Sequence, residues 1–367
     1  MRNHFKAVWT EDRLLRAAGV WPFGALCASI ARFGHNYKEM NELSKESVNW
    51  LTVGDDAAGQ RVDNFLTRVL KGVPKSHIYR IVRSGEVRVN KGRVGPDARL
   101  ALGDVVRVPP VRTAAPAAVR PVASGTRKAV KVPILYEDDA LIVVDKPAGL
   151  AVHGGSGIAA GLIEQMRAAR PDARFLELVH RLDRDTSGAM LLATKRSALV
   201  APHEQLREAA FDKRYVVLVR GRWRDEKRRV RLALTKFSTR EGERRVRVED
   251  DGAQDAETIF RRLGVWPDHD PPLALLEAEL LTGRTHQIRV HLAHLGFPLA
   301  GDDKYGDFAW NKALAREGLK RMFLHARQLT FTHPATGARM TLEAPLPKDL
   351  AAYVEQLGAA AAARAHA

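Results

Sequence analysis

The chain has 367 residues, of which 45% are hydrophobic and 28% charged, proportions that suit a soluble globular protein of two or three domains. Its formal net charge of +16 favours a polyanionic partner, because Lys and Arg side chains neutralise phosphates and release counterions. The single cysteine, Cys27, excludes a disulfide framework and a cysteine-based zinc site, and no apolar run reaches the roughly 18 to 20 residues of a membrane span.

Two helices are the first elements that the sequence predicts. Residues 1–48, which precede them, match no pattern and are predicted to be a poorly ordered extension. Over residues 61–70 the apolar side chains recur at i, i+3, i+4, i+7 and i+8, the spacing of one helix face. The second helix is predicted to start from Ser76 as its N-cap and to end before Gly85.

A short basic hairpin is predicted to follow these helices. Residues 86–90 alternate as a strand, residues 90–92 are typical of a tight turn, and residues 104–109 form a closing strand. This order of elements resembles the S4 domain, so residues 55–110 are predicted to form an S4-like RNA-binding module. Contact through phosphates is expected, since residues 55–120 hold thirteen Lys and Arg against six Asp and Glu. The candidate RNA-binding residues are Lys75, Arg80, Arg83, Arg88 and Lys91.

The larger part of the chain follows a basic linker at residues 111–132, which contains proline and no acidic residue. From residue 133 to residue 355, strand-like segments recur with helical patterns between them but without regular βαβ alternation. The predicted fold class is therefore α+β, with an N-terminal S4-like module and a larger domain on a mixed, mainly antiparallel sheet. Residues 359–367 form an alanine-rich tail.

Three polar motifs in the larger domain carry the candidate chemistry. Residues 180–188 place two Asp, two Arg and a His within their first six positions and run directly into an apolar, strand-like segment. Catalytic groups commonly lie on loops that a buried strand holds in place. Residues 145–149 precede this motif and residues 283–291 follow it. Because residues 286–292 alternate between polar and apolar, they are predicted to be a strand with Arg289 on its polar face.

In this order the three motifs resemble the RluA family of RNA pseudouridine synthases, whose catalytic loop matches residues 180–188. The resemblance covers roughly residues 55–350, and it implies that the domain at 133–355 is a pseudouridine synthase catalytic domain. Flanking segments, including residues 302–306, are most similar to the branch that modifies large-subunit ribosomal RNA. The resemblance implies isomerisation of specific uridines of 23S ribosomal RNA to pseudouridine, by an aspartate-dependent base-flipping mechanism.

Three catalytic residues are implied by this resemblance. Asp183 matches the catalytic aspartate of the family, and Arg289 matches the arginine that pairs with it. A nearby cation is needed because burial favours the protonated form of a carboxylate. Tyr215 matches a tyrosine that stacks on the target uracil. The sequence leaves open whether Asp183 attacks C1′ of the ribose, adds to the uracil ring, or abstracts a ribose proton.

Four further residues are candidate substrate contacts. Arg181 matches an arginine that fills the space left by the flipped nucleotide, and contact with a phosphate is the alternative. His180 is expected to set the conformation of the catalytic loop. Lys146 stands at a predicted tight turn that would wall the pocket, where a reactive amine is disfavoured. Ile288, beside Arg289, completes the set.

The implied reaction neither oxidises nor adds anything, so no cofactor and no metal are predicted, and no zinc-protease motif such as H-E-x-x-H is present. The predicted partner is 23S ribosomal RNA and not a membrane, and the protein is predicted to be a cytoplasmic monomer. The alternative function is a non-catalytic, S4-bearing factor that grips ribosomal RNA. Binding alone, however, requires none of Asp183, Tyr215 and Arg289.

Overall fold

The computed structural model describes residues 47–111 except 55 and 71, and residues 131–364 except 155–159, 240–242 and 250–252. All but the last two residues of the extension predicted at 1–48 lie outside the described residues. The linker predicted at 111–132 also lies outside them, apart from its two ends. Within the described ranges, none of the helices combines the length and the hydropathy of a membrane span.

Two amphipathic helices pack beside a four-stranded antiparallel sheet in the N-terminal module, whose strands are ordered β1-β4-β2-β3. Its elements are β1 (Asn49–Thr52), α1 (Val62–Val69), α2 (Lys75–Arg83), β2 (Arg88–Val89), β3 (Gly92–Arg93) and β4 (Val105–Val108). The apolar positions that the helical spacing selected form the core: Phe65, Leu66, Ile78 and Ile81 are at most 3% exposed. Both predicted helices are therefore present, and the apolar face predicted for the first one is buried.

The boundaries of these elements differ from the prediction in two places. Ser76 is not the N-cap of α2, because the helix begins at Lys75. The N-cap is Pro74, whose carbonyl oxygen accepts from the amides of His77 and Ile78. Gly85 ends the helix with a φ of +77°, as expected of a C-terminal glycine. The predicted strand at 86–90 shrinks to β2, because the amides of residues 86 and 87 still donate to the carbonyl oxygen of Ile81 and the positive φ at positions 90 and 91 belongs to the predicted turn.

A ten-stranded sheet is the centre of the larger domain, with the order β10-β13-β14-β9-β15-β8-β6-β5 and with β16 and β7 paired to β15 and β8. Its elements up to the middle of the domain are β5 (Ile134–Glu137), β6 (Leu141–Lys146), α3 (Leu162–Ala168), β7 (Glu177–Leu178), β8 (Ser187–Ala193), α4 (Arg196–Arg207), β9 (Asp212–Arg220), β10 (Lys227–Arg231), β11 (Leu234–Ser238) and β12 (Arg244–Val248). The remaining elements are β13 (Glu257–Trp266), β14 (Leu273–Leu280), α5 (Gln287–His294), α6 (Phe308–Arg316), β15 (Leu324–Thr332), β16 (Arg339–Glu343) and α7 (Lys348–Arg364).

One parallel contact, between β8 and β15, interrupts an otherwise antiparallel ladder in this sheet. The predicted α+β class and the mixed, mainly antiparallel sheet are therefore confirmed. Gly188 makes the parallel contact possible: its φ is +118°, and an added Cβ would lie 2.2 Å from the carbonyl oxygen of Ala326. β8 is buried along its whole length, so the loop that precedes it is anchored at this glycine.

The prediction of a strand at residues 286–292 is wrong, because this segment forms helix α5. The pattern misled because it equates polar residues with an exposed face. Here Gln287, Arg289 and His291 are themselves at most 3% exposed and are held by buried hydrogen-bond partners. Alternation of polar and apolar residues therefore does not report two faces of a strand. At the other end of the domain, the alanine-rich tail predicted at 359–367 begins inside α7.

A buried histidine beside the catalytic loop should make folding sensitive to acid. The imidazole of His325 faces the Ser187 hydroxyl at 3.0 Å and the Ala344 carbonyl oxygen at 3.1 Å, and burial lowers its pKa to about 4. In the unfolded chain a histidine takes up a proton near pH 6.5. The stability that depends on a neutral His325 is therefore complete above pH 6.5 and is lost as the pH falls toward 4. We expect about 3 kcal/mol of the free energy of unfolding to disappear over that interval.

Urea unfolding from pH 4.5 to 7.5 measures this dependence. His325→Asn should flatten the slope, whereas His294→Asn, which changes an exposed histidine of α5, should leave it as in the wild type. Equal slopes for His325→Asn and the wild type would contradict the assignment.

Candidate active site

A cavity of about 590 Å³ opens between two loops of the larger domain. One is the loop between β7 and β8, at residues 179–186, and the other is the loop between β14 and α5, at residues 281–286. Strand β9 contributes the floor. The lining includes His180, Arg181, Asp183, Lys213, Tyr215, His286, Ile288 and Arg289. The cavity therefore brings the polar motifs at residues 180–188 and 283–291 together.

The floor of the cavity is shaped by an aromatic ring between small neighbours. Tyr215 on β9 lies directly opposite Ala278 of β14 and Ala326 of β15, and Tyr215 is 7% exposed. Residues directly opposite each other share one face of a sheet, so the two alanines leave space over the ring. Burial, together with the charge of Asp183, raises the pKa of the Tyr215 phenol above its ordinary value. The phenol is therefore neutral at physiological pH.

The structure places the carboxylate of Asp183 beside the guanidinium of Arg289. Arg289 Nη1 donates to Asp183 Oδ2 at 3.3 Å, with 20% of the Asp183 side chain exposed and 4% of that of Arg289. The exposed part of Asp183 faces the cavity. Both residues, which the sequence separates by more than a hundred positions, therefore meet at one wall of the cavity.

The strongest partner of Arg289 is an aspartate that sequence reasoning missed. Asp302 accepts from Arg289 Nε and from Nη2, both at 2.7 Å, and its carboxylate also accepts from the backbone amides of Lys304 and Tyr305 at 2.8 and 3.0 Å. Burial alone would lower the pKa of Arg289, but Asp302, with Asp183 adding, raises it above its ordinary value. Burial opposes ionisation of Asp302 too, and Arg289 nevertheless holds its pKa low.

This bidentate pair orients the guanidinium. With Nε and Nη2 bound to Asp302, Arg289 presents Nη1 to Asp183. The buried charge is compensated by Asp302, so Asp183 can stay partly open to the cavity. The signal that could have found Asp302 is its place in the acidic segment at 302–306, which the sequence used only as a mark of resemblance.

A second contact of Asp183 comes from His286, which adopts the left-handed conformation with a φ of +54°. Its Nε2 lies 3.8 Å from Asp183 Oδ1, and its Nδ1 lies 2.8 Å from the Tyr305 hydroxyl. The Tyr305 oxygen accepts from the amide of Val246 at 2.9 Å, so we assign the Tyr305 hydroxyl as the donor to His286 Nδ1. The neutral histidine then carries its own proton on Nε2, which faces Asp183. Burial lowers the pKa of His286, with Asp183 opposing, so the ring is neutral at pH 7.

The other predicted contacts divide between the cavity and its support. Arg181 is exposed and Ile288 is 4% exposed, and both line the cavity. His180 also lines it, while its Nε2 accepts from the amide of Leu191 at 3.1 Å. Burial lowers the pKa of His180 to about 3, so it is a neutral acceptor that ties the loop to β8.

Lys146 is the exception, and its prediction as a substrate contact is corrected. It is fully buried and does not line the cavity. Its ammonium donates to the carbonyl oxygens of Pro147, Leu150 and Arg184 at 2.9, 2.7 and 3.0 Å. These bonds use all three of its protons, so the residue fastens the turn after β6 to the catalytic loop. Burial lowers its pKa to about 7, which the surrounding acidic side chains oppose.

Comparison with known proteins finds relatives of both domains. The family model described as RNA pseudouridylate synthase matches residues 140–294, and the S4 domain model matches residues 60–106. The chain is 50% identical to ribosomal large subunit pseudouridine synthase C of Haemophilus ducreyi, over 85% of this chain and 97% of that protein. The corresponding values are 53%, 83% and 93% for the Yersinia pestis protein of the same name, and 51%, 85% and 97% for that of Escherichia coli.

A solved structure provides a more distant comparison. Human RNA pseudouridylate synthase domain containing 1 is 25% identical, with a TM-score of 0.51, over 64% of this chain and 96% of the human one.

Removal of the Asp302 carboxylate should destabilise the fold. Asp302→Asn leaves the guanidinium of Arg289 buried without its bidentate partner, and breaking a buried ion pair in this way costs about 3 to 5 kcal/mol. Asp303→Asn is the matched control, because Asp303 is 61% exposed and contacts the same guanidinium at 3.4 Å. The control should cost less than about 1 kcal/mol. Chemical unfolding measures both, and similar small losses would show that Arg289 does not depend on Asp302.

Proposed function

The chain belongs to the RluA family of RNA pseudouridine synthases, and on this premise we propose that it isomerises specific uridines of 23S ribosomal RNA to pseudouridine. The observation that carries the proposal is the contact of Asp183 with Arg289 at one wall of a cavity whose floor is Tyr215. All three residues come from one chain, so a monomer suffices for the site. The proposed place of action is the cytoplasm.

The chemistry assigns each of these side chains a task. Pseudouridine forms when the bond between N1 of uracil and C1′ of ribose breaks, the base turns, and C5 bonds to C1′. The C5 hydrogen leaves as a proton and N1 gains one, so nothing is oxidised. Attack on C1′, addition to the ring and abstraction of a ribose proton all require an ionised carboxylate, which we assign to Asp183. Arg289 orients it through the contact of Nη1 with Oδ2.

The target base must leave the RNA stack to reach this carboxylate. Extruding a nucleotide costs a few kcal/mol, and groups that hold the flipped base or fill its place offset part of the cost. We assign the first task to the Tyr215 ring with Ile288, and the second to Arg181, which is exposed at the cavity. His180 supports the same loop from below through its hydrogen bond to β8.

RNA binding by the N-terminal module rests on two exposed basic surfaces. The first is the helical surface of α2, where Lys75, Arg80 and Arg83 are exposed. The second is the sheet surface, where Arg88 lies at the hairpin with Lys91. We propose that both contact phosphates, which fix the register of the RNA without reading its sequence.

An aromatic residue on the sheet surface was missed by sequence reasoning. Trp50 is directly opposite Arg107, Arg107 is opposite Arg88, and Arg88 is opposite Arg93, so the four side chains form one row across the sheet. Trp50 is 56% exposed. Arginines beside an exposed aromatic ring are typical of surfaces that bind single-stranded RNA through phosphates and base stacking. The pairing of strands, which sequence alone does not give, creates this row.

Loss of the Asp183 carboxylate should abolish the reaction. Wild-type protein given unmodified 23S ribosomal RNA labelled with tritium at uracil C5 should release tritium, and Asp183→Asn should lower the rate at least about a thousand-fold. RNA affinity should stay within a few-fold, because the variant keeps the size of the side chain. Asp185→Asn, two residues along the same loop and outside the cavity lining, is the matched control and should release tritium normally. No release by the wild type would support the non-catalytic factor instead.

The basic surfaces of the N-terminal module should control affinity rather than chemistry. Replacing Arg80, Arg83 and Arg88 with Ala should reduce the slope of log affinity against log salt by about 2 to 3, since each lost phosphate contact removes about 0.7 to 0.9. The tritium-release rate at saturating RNA should stay within a few-fold of the wild type.

The control replaces Arg316, Lys320 and Lys348, which are exposed near the C-terminal helices, and changes the net charge by the same amount. Equal salt slopes for the two triple variants would mean that only net charge matters, and the module would lose its proposed role.

A further inference from the structure

A buried lysine without a partner projects into the same cavity. Lys213 on β9 is 9% exposed and lines the cavity two positions before Tyr215, on the same face of the strand. Within the described part of the chain its ammonium makes no hydrogen bond and no ion pair. The adjacent acid does not serve it, because Asp212 accepts from Arg214 at 2.9 to 3.1 Å on the other face.

Such an arrangement is costly unless something completes it. A buried charge or donor without a hydrogen-bond partner opposes folding, and burial lowers the pKa of Lys213, which Asp212 only partly counteracts. Lys146 shows the usual solution for a fully buried lysine in this protein, since its ammonium binds three carbonyl oxygens. Lys213 has no such set among the described residues, and it faces the space that we assign to the flipped nucleotide.

The position of the ammonium within the cavity can be derived from its neighbours. A Cβ at Gly283 would lie 3.6 Å from Lys213 Nζ, so the ammonium stands against the loop between β14 and α5. Its charge contributes to the low pKa of His180, whereas the charge of Asp183 acts on Tyr215. Tyr215 is the next residue of β9 on the face of Lys213, and Asp183 lines the same cavity.

We propose that Lys213 donates a hydrogen bond to O4 of the flipped uracil, the carbonyl oxygen opposite the N1 atom that bonds to ribose. The inference rests on the proposed function. Alternate residues of a strand are roughly 7 Å apart, about the span of a pyrimidine with its exocyclic oxygen. In the proposed arrangement the ring stacks on Tyr215 with its C1′ at Asp183, and this span lets that oxygen reach Lys213.

The reaction uses such a donor twice. When the bond between N1 and C1′ breaks, its electron pair passes to N1 and the negative charge spreads to both carbonyl oxygens. An ammonium placed at one of these oxygens stabilises the charge as it develops. A half-turn about the axis through N3 and C6 exchanges N1 with C5 and O2 with O4. Lys213 therefore holds O4 in the substrate and O2 in the product, and no rearrangement of the donor is needed.

The same contact discriminates between pyrimidines. Cytosine carries an amino group where uracil carries O4, so its hydrogen-bond donor would face the ammonium with neither group satisfied. A site built to bind an acceptor rejects an analogue that lacks it, because the buried polar group is left unpaired. Selection of uridine over cytidine at the flipped position would then depend on Lys213.

The test compares Lys213→Met, which keeps the length of the side chain and removes the donor, with Lys348→Met, a control at an exposed lysine of α7. Lys213→Met should slow single-turnover tritium release about ten- to a hundred-fold, with RNA affinity within three-fold and no loss in melting temperature. The control should match the wild type. A lower melting temperature with an unchanged rate would assign Lys213 a structural role and overturn the proposal.

A target uridine replaced by 4-thiouridine identifies the atom. Sulfur is the weaker acceptor, so the replacement should slow the wild type and should slow Lys213→Met no further, as expected of two changes to one contact. Equal slowing of both proteins would overturn the carbonyl assignment. If Lys213→Met were instead non-additive with a neutral methylphosphonate at the target nucleotide, the partner of Lys213 would be the phosphate. Absence of release by the wild type would fail the proposed function itself, an outcome separate from these.

Discussion

A guanidinium buried between two carboxylates is the interaction on which the candidate site depends. The charge of Arg289 is compensated by the fully buried Asp302, which accepts from Nε and Nη2. Nη1 is left to donate to Asp183, which remains 20% exposed. If Asp183 were the only counterion of Arg289, each buried charge would have to satisfy the other, and the carboxylate would be less available to a substrate. Asp302 thus offsets the cost of burying the charge of Arg289, and the carboxylate of Asp183 remains available to a substrate.

Around this pair, the loops of the site are held by hydrogen bonds that come from buried strands. Lys146 ties the turn after β6 to the catalytic loop, His180 ties that loop to β8, and Gly188 lets β8 approach β15. On the other side, Tyr305 joins His286 to the β11–β12 hairpin through Val246. Such supports restrict the positions of the reactive side chains, which is how a loop can hold a catalytic geometry.

The three buried cations of the site region differ in what satisfies them. Arg289 is satisfied by carboxylates and Lys146 by backbone carbonyl oxygens, and both are therefore parts of the folded framework. Lys213 has no such partner among the described residues and lies in the cavity. Burial without a partner is the physical feature that distinguishes a side chain kept for a ligand from one kept for the fold.

The class of the fold and the two helices of the S4-like module could be predicted from the chain alone, because local periodicity carries that information. Asp183, Tyr215 and Arg289 became candidates through the resemblance of the polar motifs and their flanks to the RluA family. The prediction from periodicity failed at α5, where buried polar residues imitate the alternation of a strand. The packing of the folded chain was needed to show that Asp302 neutralises Arg289, that Lys146 is structural and that Trp50 joins a row of arginines. Each of these depends on which distant segments pack together, and a single sequence does not encode the partner of a charge in any local pattern.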